Sequence, residues 1–331
     1  MHEGLSDRFG RPLTDLRISV TDRCNFRCKY CMPREVFGSD FPFLEKSQMM
    51  SFEEIDRLVG IFESLGVVKI RITGGEPLLR KNIHELISML ALRPLEIALT
   101  TNGVLLPRYA PALSAAGLDR VTVSLDAIDE ATFAAITDSG HTVAAVMAGI
   151  EAAESVGLGP IKINTVVKRN TNKDEILDLV ERFSNRDIAV RFIEFMDVGT
   201  TNGWSMEEVV SAEEIRDMFE DLTVINPKNK SDVAKRYSLP SGDEIGLISS
   251  VTEPFCGNCS RARISADGRL FTCLFSNKGL DLLSPIRLGY SDEQIASIIS
   301  STWNARDDRY SEIRSELTSE LQKVEMSYIG G

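Results

Sequence analysis

A chain of 331 residues with 43% hydrophobic and 26% charged content has the composition of an ordinary globular protein, long enough for one large domain or a large one plus a small one. Its net charge of −12 argues against a broad electrostatic grip on nucleic acid, while leaving room for a local basic cluster around one anionic ligand. No apolar run approaches the length that crosses a bilayer, and the opening Met1–Arg8 is polar, without an export-type apolar core. The expectations are a cytoplasmic location, no membrane partner and no nucleic-acid partner.

Taken in chain order, short β-like runs alternate with amphipathic helical runs. Strands are predicted at Asp15–Thr21, Lys69–Thr73, Glu96–Thr101, Arg120–Asp126, Ile161–Val167 and Ala189–Phe195. A helix is predicted to start at Ser51, where Glu54 completes a capping box. Others cover Asn82–Leu92, Tyr109–Ala116, Val143–Val156 and Lys173–Phe183. Such alternation implies a parallel sheet, and six units are fewer than the eight of a closed barrel. The predicted fold class is therefore α/β, an incomplete (β/α)6 TIM-like barrel over residues 1–225. Beyond it the pattern changes. Asn226–Lys235 is polar and basic, and β-like pieces follow at Ile245–Val251 and Arg263–Phe275, the latter turning at Ala266-Asp267-Gly268. Helical patterns lie near Asp281–Leu288 and Asp292–Asn304. Residues 226–331 are read as a smaller α+β domain closing the barrel's open side.

The strands carry polar residues at every other position: Arg17, Ser19, Thr21; Lys69, Arg71, Thr73; Thr100, Asn102; Thr122, Ser124, Asp126; Lys162, Asn164. Alternate side chains share one face of a strand. In a helix-wrapped barrel the apolar face must meet the helices, so the polar face points inward. An interior of this kind suggests a wet cavity for a large polar ligand. A sheet with one solvated face is the plainer alternative, and it would leave that face without helices.

All six cysteines fall into two trios. Cys24, Cys28 and Cys31, three and then two residues apart, directly follow the first strand. Clustered cysteines in a cytosolic chain point to metal rather than disulfides. Three thiolates on one loop can hold three corners of an iron–sulfur cluster and leave one iron open. A structural zinc loop is the alternative, but the spacing differs from the usual paired pattern, and the nearest histidines, His2 and His84, are remote in sequence. Cys256, Cys259 and Cys273 form the second trio, and a hairpin through the Asp-Gly turn could return Cys273 to the pair. A second open cluster and a zinc knuckle with a borrowed carboxylate both fit. Arg261 and Arg263, on one side of an extended segment, suit an anion. With Arg17, Lys69, Arg71 and Lys162 they would make a cationic pocket that needs no P-loop.

The Cys24–Cys31 motif, with Tyr30 before its last cysteine, resembles the signature of the radical S-adenosylmethionine (SAM) superfamily, and Gly74-Gly75-Glu76-Pro77 at a strand end strengthens the likeness. The wider set is similar to the GTP 3′,8-cyclase family of molybdenum-cofactor biosynthesis. It comprises Gly10–Cys24, Lys69–Pro77, Thr100–Gly103, Val123–Ala127, Arg191–Met196, Cys256–Arg263 and Tyr328–Gly331. The resemblance implies two 4Fe-4S clusters. One, on Cys24, Cys28 and Cys31, would cleave SAM, and the other, on Cys256, Cys259 and Cys273, would face the guanine base. It implies SAM contacts from Tyr30, Gly74, Gly75, Glu76, Ser124 and Met196. It implies GTP contacts from Arg17, Lys69, Arg71, Thr100, Lys162, Arg261, Ala262 and Arg263. It also implies a reductant, a homodimer, and cyclic pyranopterin monophosphate synthase as the next enzyme. Asp138-Ser139-Gly140 departs from the family by lacking a basic residue, and no role rests on it. The family's Gly-Gly tail enters the active site, whereas the sequence alone favours a frayed end. A radical SAM maturase acting on a peptide and an iron–sulfur sensor or electron carrier are the rival readings. The basic lining disfavours the first, and the second leaves Gly74–Pro77 unexplained.

Overall fold

The computed structural model describes residues 5–227, 232–314 and 323–330. Six parallel strands form the body: β1 (Asp15–Ser19), β2 (Lys69–Thr73), β3 (Glu96–Thr101), β4 (Arg120–Ser124), β5 (Ile161–Val167) and β6 (Ile188–Glu194). Between them run α1 (Phe52–Ser64), α2 (Ile83–Leu90), α3 (Leu106–Ala115), α4 (Glu130–Thr137), α5 (Val143–Ser155) and α6 (Glu175–Arg182). The capping box predicted at Ser51 and Glu54 is present. Ile55, Leu58, Val59 and Phe62 then fall on one buried helical stripe, which fixes α1 against the sheet. Helix α4 is additional to the predicted set. Its sequence is apolar on several sides and carries little 3.6-residue signal, although Asp129 caps it by accepting from Thr132 N.

The later elements extend this body on both edges. After α7 (Ala212–Arg216) come β7 (Thr223–Ile225), β8 (Lys235–Ser238), β9 (Glu244–Ile248), β10 (Arg261–Ile264), β11 (Arg269–Phe271) and β12 (Leu280–Asp281). The whole is one twelve-stranded sheet in the order β12-β11-β10-β1-β2-β3-β4-β5-β6-β9-β8-β7. Strand β10 pairs parallel with β1, and β9 parallel with β6, so the six-unit barrel gains a parallel neighbour on each open edge. The turn predicted at Asp267-Gly268 joins β10 to β11. Helices α8 (Leu283–Arg287), α9 (Asp292–Asn304), α10 (Tyr310–Ile313) and α11 (Met326–Ile329) complete the described chain.

Register fixes which side chains meet. Arg17 lies opposite Arg71 on one side and Arg263 on the other, Thr100 opposite Thr122, and Asn164 opposite Arg191. The alternate residues Leu16, Ile18, Ile70, Ile72, Leu99, Val121, Val123 and Ile163 sit in the hydrophobic core beneath the helices. The predicted division of the strands, apolar outward and polar inward, is what the structure shows.

Candidate active site

The first trio is held by a weld between two strand ends. Gly75 N donates to Thr21 O at 2.8 Å and Glu76 N to Arg23 O at 2.8 Å, so the Gly74–Glu76 segment after β2 runs against the backbone leading to Cys24. Side chains are excluded there. A Cβ on Gly75 would stand 2.3 Å from Arg23 O, and one on Gly74 2.6 Å from Thr21 O. Cys31 N and Met32 N both donate to Cys28 O, winding the loop into a turn, and Arg27 Nη1 ties down Cys24 O at 2.7 Å. Tyr30 donates its hydroxyl to Asp126 Oδ2 at 2.7 Å. Glu76 is wholly buried with both oxygens engaged: Oε1 accepts from Leu78 N and Thr101 Oγ1, Oε2 from Asn102 N. Burial pushes its carboxyl up to about 7. Glu76→Gln would face its new N–H2 toward Asn102 N–H, so a loss of about 1–3 kcal/mol is expected for one unsatisfied buried donor, measurable by urea unfolding.

The second trio lies at the edge that β10 adds. Cys256 and Cys259 frame one 3-10 turn before β10, and the β10–β11 hairpin returns the chain to Cys273. All six cysteines line one cavity. Tyr30, Gly74, Gly75, Glu76, Ser124 and Met196 line it as well, beside Arg17, Arg71, Thr100, Arg261 and Arg263.

Each trio presents three free thiols at the wall of one cavity. Thiolates are the donors that iron–sulfur clusters take, each on a different iron, so the residues present fit such clusters. Burial pushes the Cys24 thiol up to about 11 and Cys273 up to about 12, and it holds Cys28 and Cys31 well above the ordinary thiol range. What these sulfurs lack is positive charge, which iron supplies. Burial opposes ionisation of Cys259 too, but Arg261 and Arg306 overcome it and bring that thiol down to about 6.

Between the trios the wall is cationic. Arg71 Nη1 donates to Thr100 Oγ1 at 3.0 Å and Thr122 Oγ1 at 3.1 Å. Burial, then Arg263, Arg261 and Arg71, hold Arg17 well below the ordinary guanidinium range. Among the described residues, the buried Nε atoms of Arg17 and Arg191 have no acceptor. Arg191 was missed in the sequence reading, although its parity on β6 is that of the inward residues, and Ile193, two positions on, also lines the cavity. Lys69 and Lys162 share the inward face but lie at the N-terminal ends of β2 and β5, below the lined part. There Lys69 is 3.8 Å from Asp15. The side chain of Ala262 is fully buried in the core on the other face of β10, so only its backbone is placed to serve a ligand. Asp138 makes an exposed ion pair with Arg34 at 2.7 Å.

The tail is held, not frayed, as far as it is described. Lys323 Nζ meets the buried Asp197 at 2.7 Å, Glu325 accepts from Thr200 N, and Tyr328 donates to Asp267. Gly330 O accepts from Arg263 Nη1 at 2.5 Å, and a Cβ on Gly330 would stand 2.4 Å from Thr73 Cγ2. Gly331 lies outside the described residues.

An open parallel barrel with a three-cysteine loop above its first strand and a glycine weld beside it defines the radical SAM class of enzymes. Residues 18–183 match the radical SAM superfamily, and residues 188–312 match the family described as Molybdenum Cofactor Synthesis C. The structure of Streptococcus suis SuiB bound to S-adenosylmethionine superposes with a TM-score of 0.62 at 14% identity, over 94% of this chain and 72% of that one, a likeness of fold. The GTP 3′,8-cyclase of Staphylococcus carnosus (strain TM300) is 46% identical over 100% of both chains, and that of Staphylococcus aureus (strain JH9) is 44% identical over 100% of both. The chain belongs to the GTP 3′,8-cyclase family.

Proposed function

We propose that this chain is a GTP 3′,8-cyclase, a radical SAM lyase that catalyses the first step of molybdenum-cofactor biosynthesis. When bound, a one-electron-reduced 4Fe-4S cluster on the first trio would cleave SAM to methionine and a 5′-deoxyadenosyl radical able to take hydrogen from ribose C3′ of GTP; attack of that carbon on guanine C8, completed by one electron and one proton from outside the chain, would give 3′,8-cyclo-7,8-dihydro-GTP. Cys24, Cys28 and Cys31 would hold one cluster, and Cys256, Cys259 and Cys273 the other. Tyr30, Gly74, Gly75, Ser124 and Met196 would orient SAM. Glu76, its oxygens already engaged, would keep the strand end in place. Arg17, Arg71, Thr100, Arg261 and Arg263, with Arg191, would hold GTP, and Lys69 and Lys162 would receive its far phosphates. A reactive radical needs its target at near-contact distance and shielded from other donors. One cavity lined by both trios meets that need.

The observation that carries this reading is the set of inward arginines, two of them with unsatisfied buried Nε atoms. A buried N–H without an acceptor is costly, and a triphosphate supplies acceptors together with the opposite charge. A peptide offers carbonyls and scattered carboxylates, but not the several anionic oxygens of a triphosphate on one short chain, which match a row of guanidinium groups better. The reading includes a functional division at residue 225, an external electron donor, hand-off of product to cyclic pyranopterin monophosphate synthase, a homodimer and a cytoplasmic setting. Among the described residues no helix is long and apolar enough to cross a membrane. Anaerobically reconstituted protein should cleave SAM to 5′-deoxyadenosine in a GTP-dependent way, and Cys256→Ser should lose the cyclised product. SAM cleavage indifferent to GTP would refute the substrate.

Binding should take up protons. Burial, then Arg191 and Arg120, bring Lys162 down to about 6. Burial, against a raising contribution from Asp15, brings Lys69 down to about 8. At about pH 7.5 Lys162 is then mostly neutral and Lys69 partly so, and a neighbouring triphosphate restores the charged form. Affinity for GTP should therefore weaken as pH rises from about 6 to 9. Calorimetry in buffers of different ionisation enthalpy reads the uptake directly, and a binding heat independent of buffer would contradict it.

A further inference from the structure

Behind the second trio lies a buried ion cluster that the proposed reaction does not use. Arg11 and Arg306 share the carboxylate of Asp7: Arg11 Nε is 2.6 Å and Arg306 Nη1 3.3 Å from Asp7 Oδ2. Their side chains are 2% and 1% exposed, and that of Asp7 is 0% exposed. Asp7 Oδ1 accepts from Phe9 N and Arg11 N, so the carboxylate is fixed in place. The guanidinium of Arg306 lies 4.5 Å from the Trp303 ring centroid, and Trp303 Nε1 donates to Arg11 O.

The cluster grips the trio through backbone. Arg11 Nη1 donates to Cys256 O at 2.9 Å and to Asp308 O at 2.8 Å, and Arg306 Nη1 donates to Cys259 O at 2.8 Å. Both arginines line the cavity, and among the described residues the buried Arg11 Nη2 has no acceptor. Two guanidinium groups thus share one fully buried carboxylate. The second carboxylate, Asp308, is 3.5 Å from Arg306 Nε, partly exposed, and takes a hydrogen bond from Thr272. Buried ion clusters are poor stabilisers in themselves; with Asp308 partly in water, the fully buried part of this one carries two positive charges against one negative, which favours a negative neighbour.

We propose that Asp7, Arg11 and Arg306 form a positioning platform that holds the Cys256–Cys259 turn and biases a 4Fe-4S cluster on that trio toward its reduced state. This rests on the reading that the second trio holds such a cluster. One-electron reduction adds a negative charge, and buried cations beside the ligands favour the more negative form. Arg11 and Arg306 act through the ligand backbone and their field.

The test uses the full chain with Cys24, Cys28 and Cys31 all changed to Ser, so that only the second trio can bind iron. After anaerobic reconstitution the protein is titrated with dithionite, which supplies one electron per cluster, and the reduced signal is followed by electron paramagnetic resonance. Arg11→Gln and Arg306→Gln should keep the parent's iron and sulfide. Each should shift the oxidised-to-reduced ratio at fixed potential about tenfold toward oxidised, equivalent to about 59 mV for one electron. Arg11→Lys keeps the charge and should shift it much less. Asp7→Asn removes the opposing charge and should move the midpoint the other way, which keeps the proposal testable should Arg11→Gln fail to fold. Midpoints unmoved in both Gln variants would overturn the proposal, as would equal shifts in Arg11→Lys and Arg11→Gln. Loss of iron from folded Gln variants would assign the platform a structural duty alone and overturn it equally. A parent that binds no iron would instead refute the cluster reading beneath it.

Discussion

Gly75→Ala is expected to abolish SAM cleavage and to halve the iron bound per chain, while leaving the second trio loaded. The added Cβ would stand 2.3 Å from Arg23 O, 2.6 Å from Arg23 C and 3.1 Å from Cys24 N. These are backbone atoms of the cysteine loop, so no flexible side chain can yield. The loop or the strand end must move, and with it go the bonds Gly75 N to Thr21 O and Glu76 N to Arg23 O. Displacing a reacting centre by about 1 Å costs on the order of 100-fold in rate, and Cys24 sits at the end of the displaced segment. Loss of the first cluster takes activity to zero. Gly140→Ala is the control: no atom lies within 4 Å of its Cβ position, and it should behave as the parent. Iron and sulfide per chain, measured with GTP-dependent 5′-deoxyadenosine formation, separate the two. A Gly75→Ala protein with full iron and full turnover would show that the weld is dispensable.

The weld shows how far the sequence could be read. The parity of Arg17, Arg71 and Thr100 put them inward, and the capping box at Ser51 and Glu54 placed α1, because both signals are local. Local signals also located the Asp267-Gly268 turn. Arg191 carried the same parity signal on β6 and could have been found by it. Ala262 was grouped with its neighbours by motif, though strand alternation points it away from them into the core. What stayed hidden is non-local. The pairing of β10 with β1 joins residues from opposite ends of the chain, and without it nothing sets Arg263 beside Arg17. The platform behind the second trio joins Asp7 to Arg306. The last described residues read as a loose end, yet Lys323 is buried against Asp197, a partner that no periodicity can reveal.

Arg17→Met is expected to move stability and binding in opposite directions. The methionine keeps most of the side chain's apolar bulk and removes a guanidinium whose buried Nε has no acceptor among the described residues. It also removes the mutual repulsion with Arg263, Arg261 and Arg71 that depresses Arg17's own ionisation. Arg17 is only partly buried, so replacing its poorly compensated charge with an apolar group should stabilise by about 1 kcal/mol, the low end for buried charges, and the variant without GTP should melt somewhat higher than the parent. GTP, in turn, loses a charge-assisted contact and leaves phosphate oxygens unpaired in a desolvated site. That costs about 2–5 kcal/mol, or a 30-fold or greater loss of affinity. Saturating GTP should then raise the parent's melting point more than the variant's, since a ligand stabilises in proportion to how tightly it binds the native state. Melting curves with and without GTP give both signs in one experiment. A variant that melts lower than the parent without ligand would mean that Arg17 is already satisfied inside the empty barrel. The cationic lining would then be part of the scaffold and not a demand for an anion.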